Sequence, residues 1–325
     1  MIEEKGYIRK ILIDKSTIHA FIFFIVTFLT SIFITNFYIL GDQFHYIEFY
    51  ESSKDLSLLD TYILQLTSIG SADPGYSLII WLFSDLVSKN LLISLANALL
   101  ALLLFKILRK FKYPTWFFVG MLLSFYMFVL FFAAERLKFA AIIILVAFFY
   151  KNFFTRAFII LLASLFHAQS LFALALIGIH AVTRKNLLPN IFKFGNFLAF
   201  IFIASFISIF LMFAYELIYE KFIAYTSYDF LSLAKPIALG SISLIFMRDK
   251  LFALSCFIFF LVTCFILGTD RIIMMQFIFT MLFLDHRDKN QVLVLSTLFL
   301  YLFLKNLDFI YKIFLCGEGF LCTAI

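Results

Sequence analysis

Charge is what this sequence has least of: 26 basic and 20 acidic residues in 325, or 14%, where a soluble domain carries about 25%. Set against 64% apolar residues, so few charges exclude a water-soluble globule, because no interior of this size hides that much apolar side chain. The bilayer is therefore the expected solvent. At roughly 20 residues per spanning helix, the apolar content suffices for about ten spans, which also excludes a soluble enzyme on a single anchor. Cysteine is scarce too. Cys256, Cys264, Cys316 and Cys322 show neither CxxC nor Cys/His metal spacing, so no structural metal site is expected. There is no nucleotide motif and no DxD-like metal pair. A cleavable signal peptide is not expected either, because the first apolar run is long, follows a basic stretch and lacks a small-residue cleavage site. A net charge of +6 in a soluble protein suggests nucleic acid. Here the positives cluster between apolar runs, the pattern that orients a membrane protein, and no nucleic-acid partner is inferred.

What is present is an all-α polytopic membrane chain forming one integral membrane domain, residues 1–325. Apolar runs place about 11 spans (range 10–12) near residues 17–40, 90–108, 114–133, 135–150, 154–168, 170–182, 194–218, 236–249, 251–268, 270–284 and 291–309. Several are shorter than about 20 residues and must thin the bilayer, tilt little or be half-helices. Residues 41–89 break the pattern. Gly41 to Asp73 holds six carboxylates against Lys54 and reads as a solvated loop, whereas Tyr76 to Lys89 is apolar but too short to span and reads as an interfacial or re-entrant helix.

Charge parity fixes the expected orientation. With residues 76–89 not crossing, 17 of the 26 basic residues fall on the side of the N-terminus, among them Arg109, Lys110, Lys151, Arg156 and Arg248. The other side keeps Lys54, Lys89, Arg136, Lys138, Lys221, Lys235, Arg271, Lys305 and Lys312. The positive-inside rule then puts the N-terminus in the cytoplasm and residues 41–89 outside. On that reading the C-terminus is also outside, where Cys316 and Cys322 are free to pair.

The outer ends of the helices hold Asp42, His45, Asp73, Glu135, Arg136, Lys138, His167, Asp270 and Arg271. Charges at membrane depth are costly and usually mark pathways or sites. Each has a plainer reading. Asp73-Pro74-Gly75-Tyr76 has the grammar of a capped helix start. Gly41-Asp42 reads as a glycine helix stop followed by a solvated carboxylate. Glu135-Arg136-Leu137-Lys138 reads either as snorkelling cations with a local partner or as a guanidinium placed for a phosphate or diphosphate, whose oxygens match its planar fork. His167 is either a buried neutral imidazole or a group for acid/base work or for binding a sugar or phosphate. Asp270-Arg271 reads also as a short loop pair. The 49 Phe suit lipid contact and core filling. Tyr46, Tyr50, Tyr62, Tyr76, Tyr215, Tyr219, Tyr225 and Tyr228 suit an aromatic belt at the outer boundary.

In order, Asp42 just after the first span, Asp73-Pro74-Gly75-Tyr76 after an outer loop, Arg136 opening a later span and Phe166-His167-Ala168-Gln169 two spans on resemble the EpsG-like branch of the Wzy-type bacterial polysaccharide polymerases. The likeness covers about residues 17–180. Asp73 stands where the family has Glu, Leu137 where Gln is common, and Gln169 at a Ser position with Ser170 next. The resemblance implies a GT-C-like membrane glycosyltransferase of the O-antigen, capsule or exopolysaccharide pathway in the bacterial inner membrane, with its active face periplasmic. It implies transfer of a growing glycan from undecaprenyl diphosphate to the next lipid-linked repeat unit, without metal or other cofactor. Its partners would be the two lipid-linked oligosaccharides, membrane lipid and a chain-length regulator. The roles implied are Asp42 or Asp73 as base or acceptor-positioning carboxylate, Arg136 on the diphosphate with Lys138 or Arg271 assisting, and His167 on phosphate or sugar. Glu135 and Tyr76 join the expected substrate-binding set. A lipid-linked oligosaccharide flippase or an O-antigen ligase is the alternative, although repeated halves typical of transporters are not visible.

Overall fold

The computed structural model describes residues 15–183, 233–267, 269–284 and 289–322. Everything regular among them is helical. The elements are α1 (Lys15–Thr35), α2 (Asp42–Ser52), α3 (Leu58–Ser68), α4 (Pro74–Phe83), α5 (Lys89–Lys110), α6 (Thr115–Leu122), α7 (Phe125–Phe132), α8 (Glu135–Ala147), α9 (Phe153–Ser164), α10 (Leu171–Thr183), α11 (Ala234–Phe246), α12 (Lys250–Leu267), α13 (Thr269–Phe283) and α14 (Lys289–Cys316). The span read at residues 194–218, the tyrosines at 215, 219, 225 and 228, and the side chains of Asp270 and Arg271 lie outside the described residues.

Among the described residues, three helices are long and apolar enough to cross a membrane: Thr17–Thr35, Lys89–Lys110 and Gln291–Cys316. The pair α6 and α7 makes a fourth if its halves, bent by 58°, form one span. Shorter apolar helices, including α9, α11 and α12, accompany them. Helices α1 and α14 turn large apolar side chains outward, with Phe21 64%, Leu29 59%, Leu293 70% and Leu300 59% exposed. Such surface is unsuited to water and compatible with a multi-pass membrane protein.

The spans drawn from hydrophobicity alone shift at several places. The first ends at Thr35 rather than residue 40, because Ile39 and Leu40 leave the helix to donate their N–H groups to Gly317 O at 3.1 and 2.9 Å. Gly41, at φ +64°, therefore opens α2 instead of stopping α1. The last runs on to Cys316. The run at 114–133 is broken at Leu123-Ser124, where the Ser124 hydroxyl donates to Met121 O at 2.7 Å and Asn306 of α14 donates to the freed Leu123 O at 3.0 Å. Side-chain bonds thus replace the interrupted helical ladder.

Residues 41–73 are not a solvated loop. They fold as α2 and α3, and α2, α4, α5 and α8 enclose a second core of Tyr46, Phe49, Tyr50, Tyr76, Ile80, Leu92, Ile93, Ala96 and Phe139. Tyr46, Tyr50 and Tyr76 are buried there rather than standing in an aromatic belt. Tyr50 OH donates to Phe83 O and Val87 O at 3.0 and 2.8 Å, closing the end of α4. At ten residues α4 is about 15 Å long, too short to cross.

Helix α5 measures the distance between two polar ends. Its 22 residues span about 33 Å, from Lys89 beside Glu135 at 2.7 Å to Lys110, which donates to Phe148 O at 3.0 Å. Lys110, Lys151, Arg156 and Arg248 line one cavity. Asp42, Arg136, His167, Lys235, Lys305 and Lys312 line another. Each cavity thus draws the basic residues named here from one of the two sets that charge parity separates.

Candidate functional site

Asp73 is the residue around which the site is built. It occupies the N-cap position of α4, with Pro74 first in the helix, yet its carboxylate makes no capping bond. Oδ2 instead accepts from Arg136 Nη1 at 2.6 Å and from the Ser71 hydroxyl at 2.8 Å, and lies 3.5 Å from His167 Nδ1. Arg136 Nη1 also meets the Ser71 hydroxyl, and its Nε donates to Tyr46 OH at 3.3 Å. Gln65 Nε2 donates to the carbonyls of Ser71 and Asp73 at 3.1 and 3.0 Å, shaping the turn before α4. Residues 63 and 94 positions apart are thereby joined at one oxygen.

Burial alone would raise the Asp73 pKa. The hydrogen bond from His167, the charges of His167 and Arg136 and the Ser71 hydroxyl outweigh it and hold the carboxyl below the usual carboxylate range. Burial also pushes the Tyr46 phenol up, opposed by Arg136.

Two local features bring His167 to this place. Helix α9 ends at Ser164 and His167 is extended, at φ −163° and ψ 124°, before a 3₁₀ turn Ala168–Ser170 enters α10. The span read through residue 168 therefore stops short, and His167 lies in the connection. Gly75 is the second feature. Its N–H donates to Leu165 O at 2.8 Å, and a Cβ there would sit 2.8 Å from the Phe166 ring. Asp73-Pro74-Gly75 and Phe166-His167 are thus one interlocked contact, which needs glycine for the close approach.

A cavity of about 410 Å³ opens beside this cluster. Arg136, His167, Gln169 and the exposed Asp42 line it, and α7 gives Phe125, Tyr126, Val129 and Ala133. Lys235 of α11, Ile273 and Met274 of α13, and Lys305, Asp308, Phe309 and Lys312 of α14 also line it, with Gly319 and Phe320. The last two belong to the loop closed by the Cys316–Cys322 disulfide. Volume and lining suit a small-molecule site, for which about 300–1,000 Å³ is usual.

Glu135, Lys138 and Tyr76 do not line this cavity; each is fully buried. Glu135 pairs with Lys89 at 2.7 Å and accepts from Tyr76 OH at 2.8 Å. Lys89 Nζ also donates to Gln43 Oε1 at 2.6 Å, and Gln43 Nε2 donates to Phe132 O at 2.6 Å. This network fastens α2, α4 and α5 to the joint between α7 and α8, directly before Arg136. Lys138, one turn further along α8, has no hydrogen-bond partner for its amine among the described residues. His45 is exposed outside the cavity, its ring edge-on to Phe44 at 5.7 Å.

Sequence reasoning therefore named Asp42, Asp73, Arg136 and His167, which meet at or beside one cavity. It counted Lys235, Lys305 and Lys312 only as outer cations, and it left out Ser71, Gln43 and the pairing of Lys89. Side parity was the signal available for the lysines. Ser71 and Gln43 carry no such signal.

Chemically, the arrangement presents a guanidinium with a bound carboxylate and an imidazole at the rim of an amphiphilic cavity. Arg136 retains donors for an anion, and His167 and Asp42 are placed for proton exchange with a ligand hydroxyl. No family model, no curated protein and no solved structure matches the chain.

Proposed function

We propose that the chain is a membrane glycosyltransferase of the polysaccharide-polymerase type, transferring a growing glycan from undecaprenyl diphosphate to the next lipid-linked repeat unit. The observation that carries this reading is the convergence of Asp73, Arg136 and His167 on one carboxylate oxygen beside the cavity. These are three of the four positions on which the resemblance to the EpsG-like polymerases rests. The fourth, Asp42, lines the same cavity.

Glycosyl transfer from a lipid diphosphate asks for positive charge at the departing diphosphate and a base at the acceptor hydroxyl. Arg136 is the cation, with His167 beside it for phosphate or sugar. Asp42, exposed in the cavity and not engaged by Arg136, suits the base better than Asp73. Asp73 is held as a counter-ion by Arg136 and Ser71 and acts as a positioning carboxylate. In this reading the chain has eleven spans in a GT-C-like arrangement in the bacterial inner membrane, with its N-terminus cytoplasmic and the cavity facing the periplasm. A transporter would also use cations in a cavity, but the carboxylates beside the cations favour catalysis over passage.

The test is deletion of the gene in its host, followed by electrophoresis of the surface glycan. Loss of a polymerase leaves single repeat units on lipid, loss of a flippase or ligase leaves none, and an unchanged ladder ends the reading. Complementation with Arg136→Ala is expected to leave short chains at normal membrane levels of the protein. Arg136→Lys is expected to restore them in part, since a lysine supplies charge without the fork that binds two oxygens.

A further inference from the structure

Asp42 reaches the cavity without help from a side-chain partner. Its exposed carboxylate has no hydrogen-bond or ion-pair partner among the described residues, so its place depends on how the backbone around it is held. On one side stands Gln43, anchored to Phe132 O and to Lys89. On the other side the chain leaves α1 at Thr35 and enters α2 through Gly41 at φ +64°. That connection carries no anchor of comparable kind in its own sequence.

Its anchor comes from the end of α14. Gly317, in the left-handed region at φ +71°, donates to Ile313 O at 2.9 Å, and its carbonyl accepts from two successive N–H groups, Ile39 at 3.1 Å and Leu40 at 2.9 Å. Glu318 lies against Gly41, where a Cβ would meet its Oε1 at 2.9 Å. Phe320 packs edge-on against Phe309 at 5.1 Å, and Tyr38 packs edge-on against the same ring at 6.0 Å. Phe309, Gly319 and Phe320 line the cavity together with Asp42. Residues 38–41 are thus clasped by residues 317–320, directly before Asp42.

The Cys316–Cys322 disulfide closes the loop that makes this clasp. A bridge that merely fixes α14 to α1 has less to do here, because Phe37 and Phe314 already join them edge-on at 4.9 Å. The loop's own contacts fall on residues 38–41 instead. Leu321 beside the bridge is 67% exposed, whereas Cys256 and Cys264 are buried free thiols. Opening the bridge returns conformational freedom to the residues it encloses.

We propose that the loop from Cys316 to Cys322 is a positioning element for Asp42, and that its disulfide puts the site under redox control. With the bridge formed, Gly317 O holds Ile39 and Leu40 and Asp42 faces the cavity. A dithiol reductant attacks one sulfur as thiolate, forms a mixed disulfide and leaves as its own cyclic disulfide. Two electrons and two protons pass to Cys316 and Cys322, which become thiols, and the clasp opens. The effect on catalysis rests on the polymerase reading, in which Asp42 is the base; the clasp itself does not.

The test follows amide hydrogen exchange by mass spectrometry on the full-length protein in nanodiscs, oxidised, reduced with dithiothreitol and re-oxidised. Exchange at Ile39 and Leu40 is expected to quicken about tenfold or more on reduction, with α5 and α8 unchanged, and to slow again on re-oxidation, which separates a reversible clasp from misfolding. Cys316→Ser/Cys322→Ser is expected to match the reduced protein. Gly317→Ala, which places a methyl 3.2 Å from Ile39 at an angle that favours glycine, is expected to loosen the same two amides with the bridge intact. Unchanged exchange at Ile39 and Leu40 on reduction overturns the proposal, and so does loss of protection spread equally over α1 and α14, which marks a bridge that only supports the fold. The glycan ladder is read separately. Where deletion of the gene shortens the ladder, Cys316→Ser/Cys322→Ser at normal membrane levels is expected to give short chains, and full-length chains there overturn the link to Asp42. A ladder unchanged by deletion ends the polymerase reading and leaves the exchange result to decide the clasp.

Discussion

Asp73 shows how far a side chain's task can depart from its local motif. Ahead of Pro74 and Gly75 it has every qualification for an N-cap, yet its oxygens are drawn away to Arg136, Ser71 and His167. A charge-assisted bond to a mostly buried guanidinium is worth more than a bond to one helix N–H. Asp73→Asn keeps the shape and removes the charge, leaving Arg136, 12% exposed at its side chain, without its counter-ion. The expected loss at pH 7 is about 1.5–3 kcal/mol, read as a lower midpoint of thermal unfolding in detergent. The pH dependence has a definite sign. A carboxyl whose folded pKa lies below its unfolded value of about 3.9 contributes its full stability above that value and loses it as pH falls through the folded one. The gap between wild type and Asp73→Asn is therefore expected not to narrow between pH 7 and about pH 5 and to close only in stronger acid. A gap that closes already between pH 7 and 5 would mean that the carboxyl is not held down by its partners.

Among elements, two joints place the site. At the first, α4 meets the connection between α9 and α10 through Gly75 and Phe166. Gly75→Ala inserts a methyl 2.8 Å from the aromatic ring, and the shift needed to admit it moves Asp73 relative to His167. Function is expected to drop in Gly75→Ala and to recover in Gly75→Ala/Phe166→Leu, where the smaller side chain yields space; a double variant as poor as the single one would locate the fault elsewhere. At the second, the buried pair Lys89–Glu135 ties α5 to the start of α8. Removing one member strands a buried charge, at a cost of about 3–5 kcal/mol, whereas replacing both with apolar groups of similar size is often neutral. Glu135→Gln should thus be poorly stable, and Lys89→Met/Glu135→Gln, which removes both charges and keeps an acceptor for Tyr76 OH, closer to wild type in thermal unfolding. Equal stability of Glu135→Gln and wild type would remove the pair from the account of how Arg136 is held.

For the whole molecule, sorting charges by side was the step that made the site legible. Charges avoid the hydrocarbon centre, so parity along the chain carries three-dimensional information: it groups Asp42, Arg136, His167 and Lys305 on one side and Lys110, Arg156 and Arg248 on the other, as the two cavities do. Apolar runs marked where helices lie, but among the described residues only three helices are long and apolar enough to span. Two features escaped this signal for physical reasons. The charges of residues 41–73 mimic a solvated loop, while Phe49 and Tyr50, wholly buried, carry the second core. The α6–α7 bend lies at Leu123-Ser124, with neither Pro nor Gly to announce it, and depends on Asn306 from 183 residues away. Pairings such as Gln43 with Lys89, at a separation of 46, leave no periodic trace in a sequence.

Parity gives opposite sides but assigns inside and outside only through the distribution of Lys and Arg, and that assignment can be tested directly. Lys54 lies exposed in the turn between α2 and α3, and Lys112 lies exposed in the turn after α5 with φ at +65°. Cysteine placed at either position faces a low background, because Cys256 and Cys264 are buried and Cys316 is paired with Cys322. In intact cells permeable only at the outer membrane, an impermeant maleimide is expected to label Lys54→Cys and to leave Lys112→Cys unlabelled until the inner membrane is opened. The reverse pattern would turn the cavity with Arg136 toward the cytoplasm. That outcome would count against the proposed transfer at the periplasmic face. Labelling of both in intact cells would mean that residues 76–89 or one of the short helices divides the chain differently, since an odd number of crossings between Lys54 and Lys112 is what α5 alone supplies.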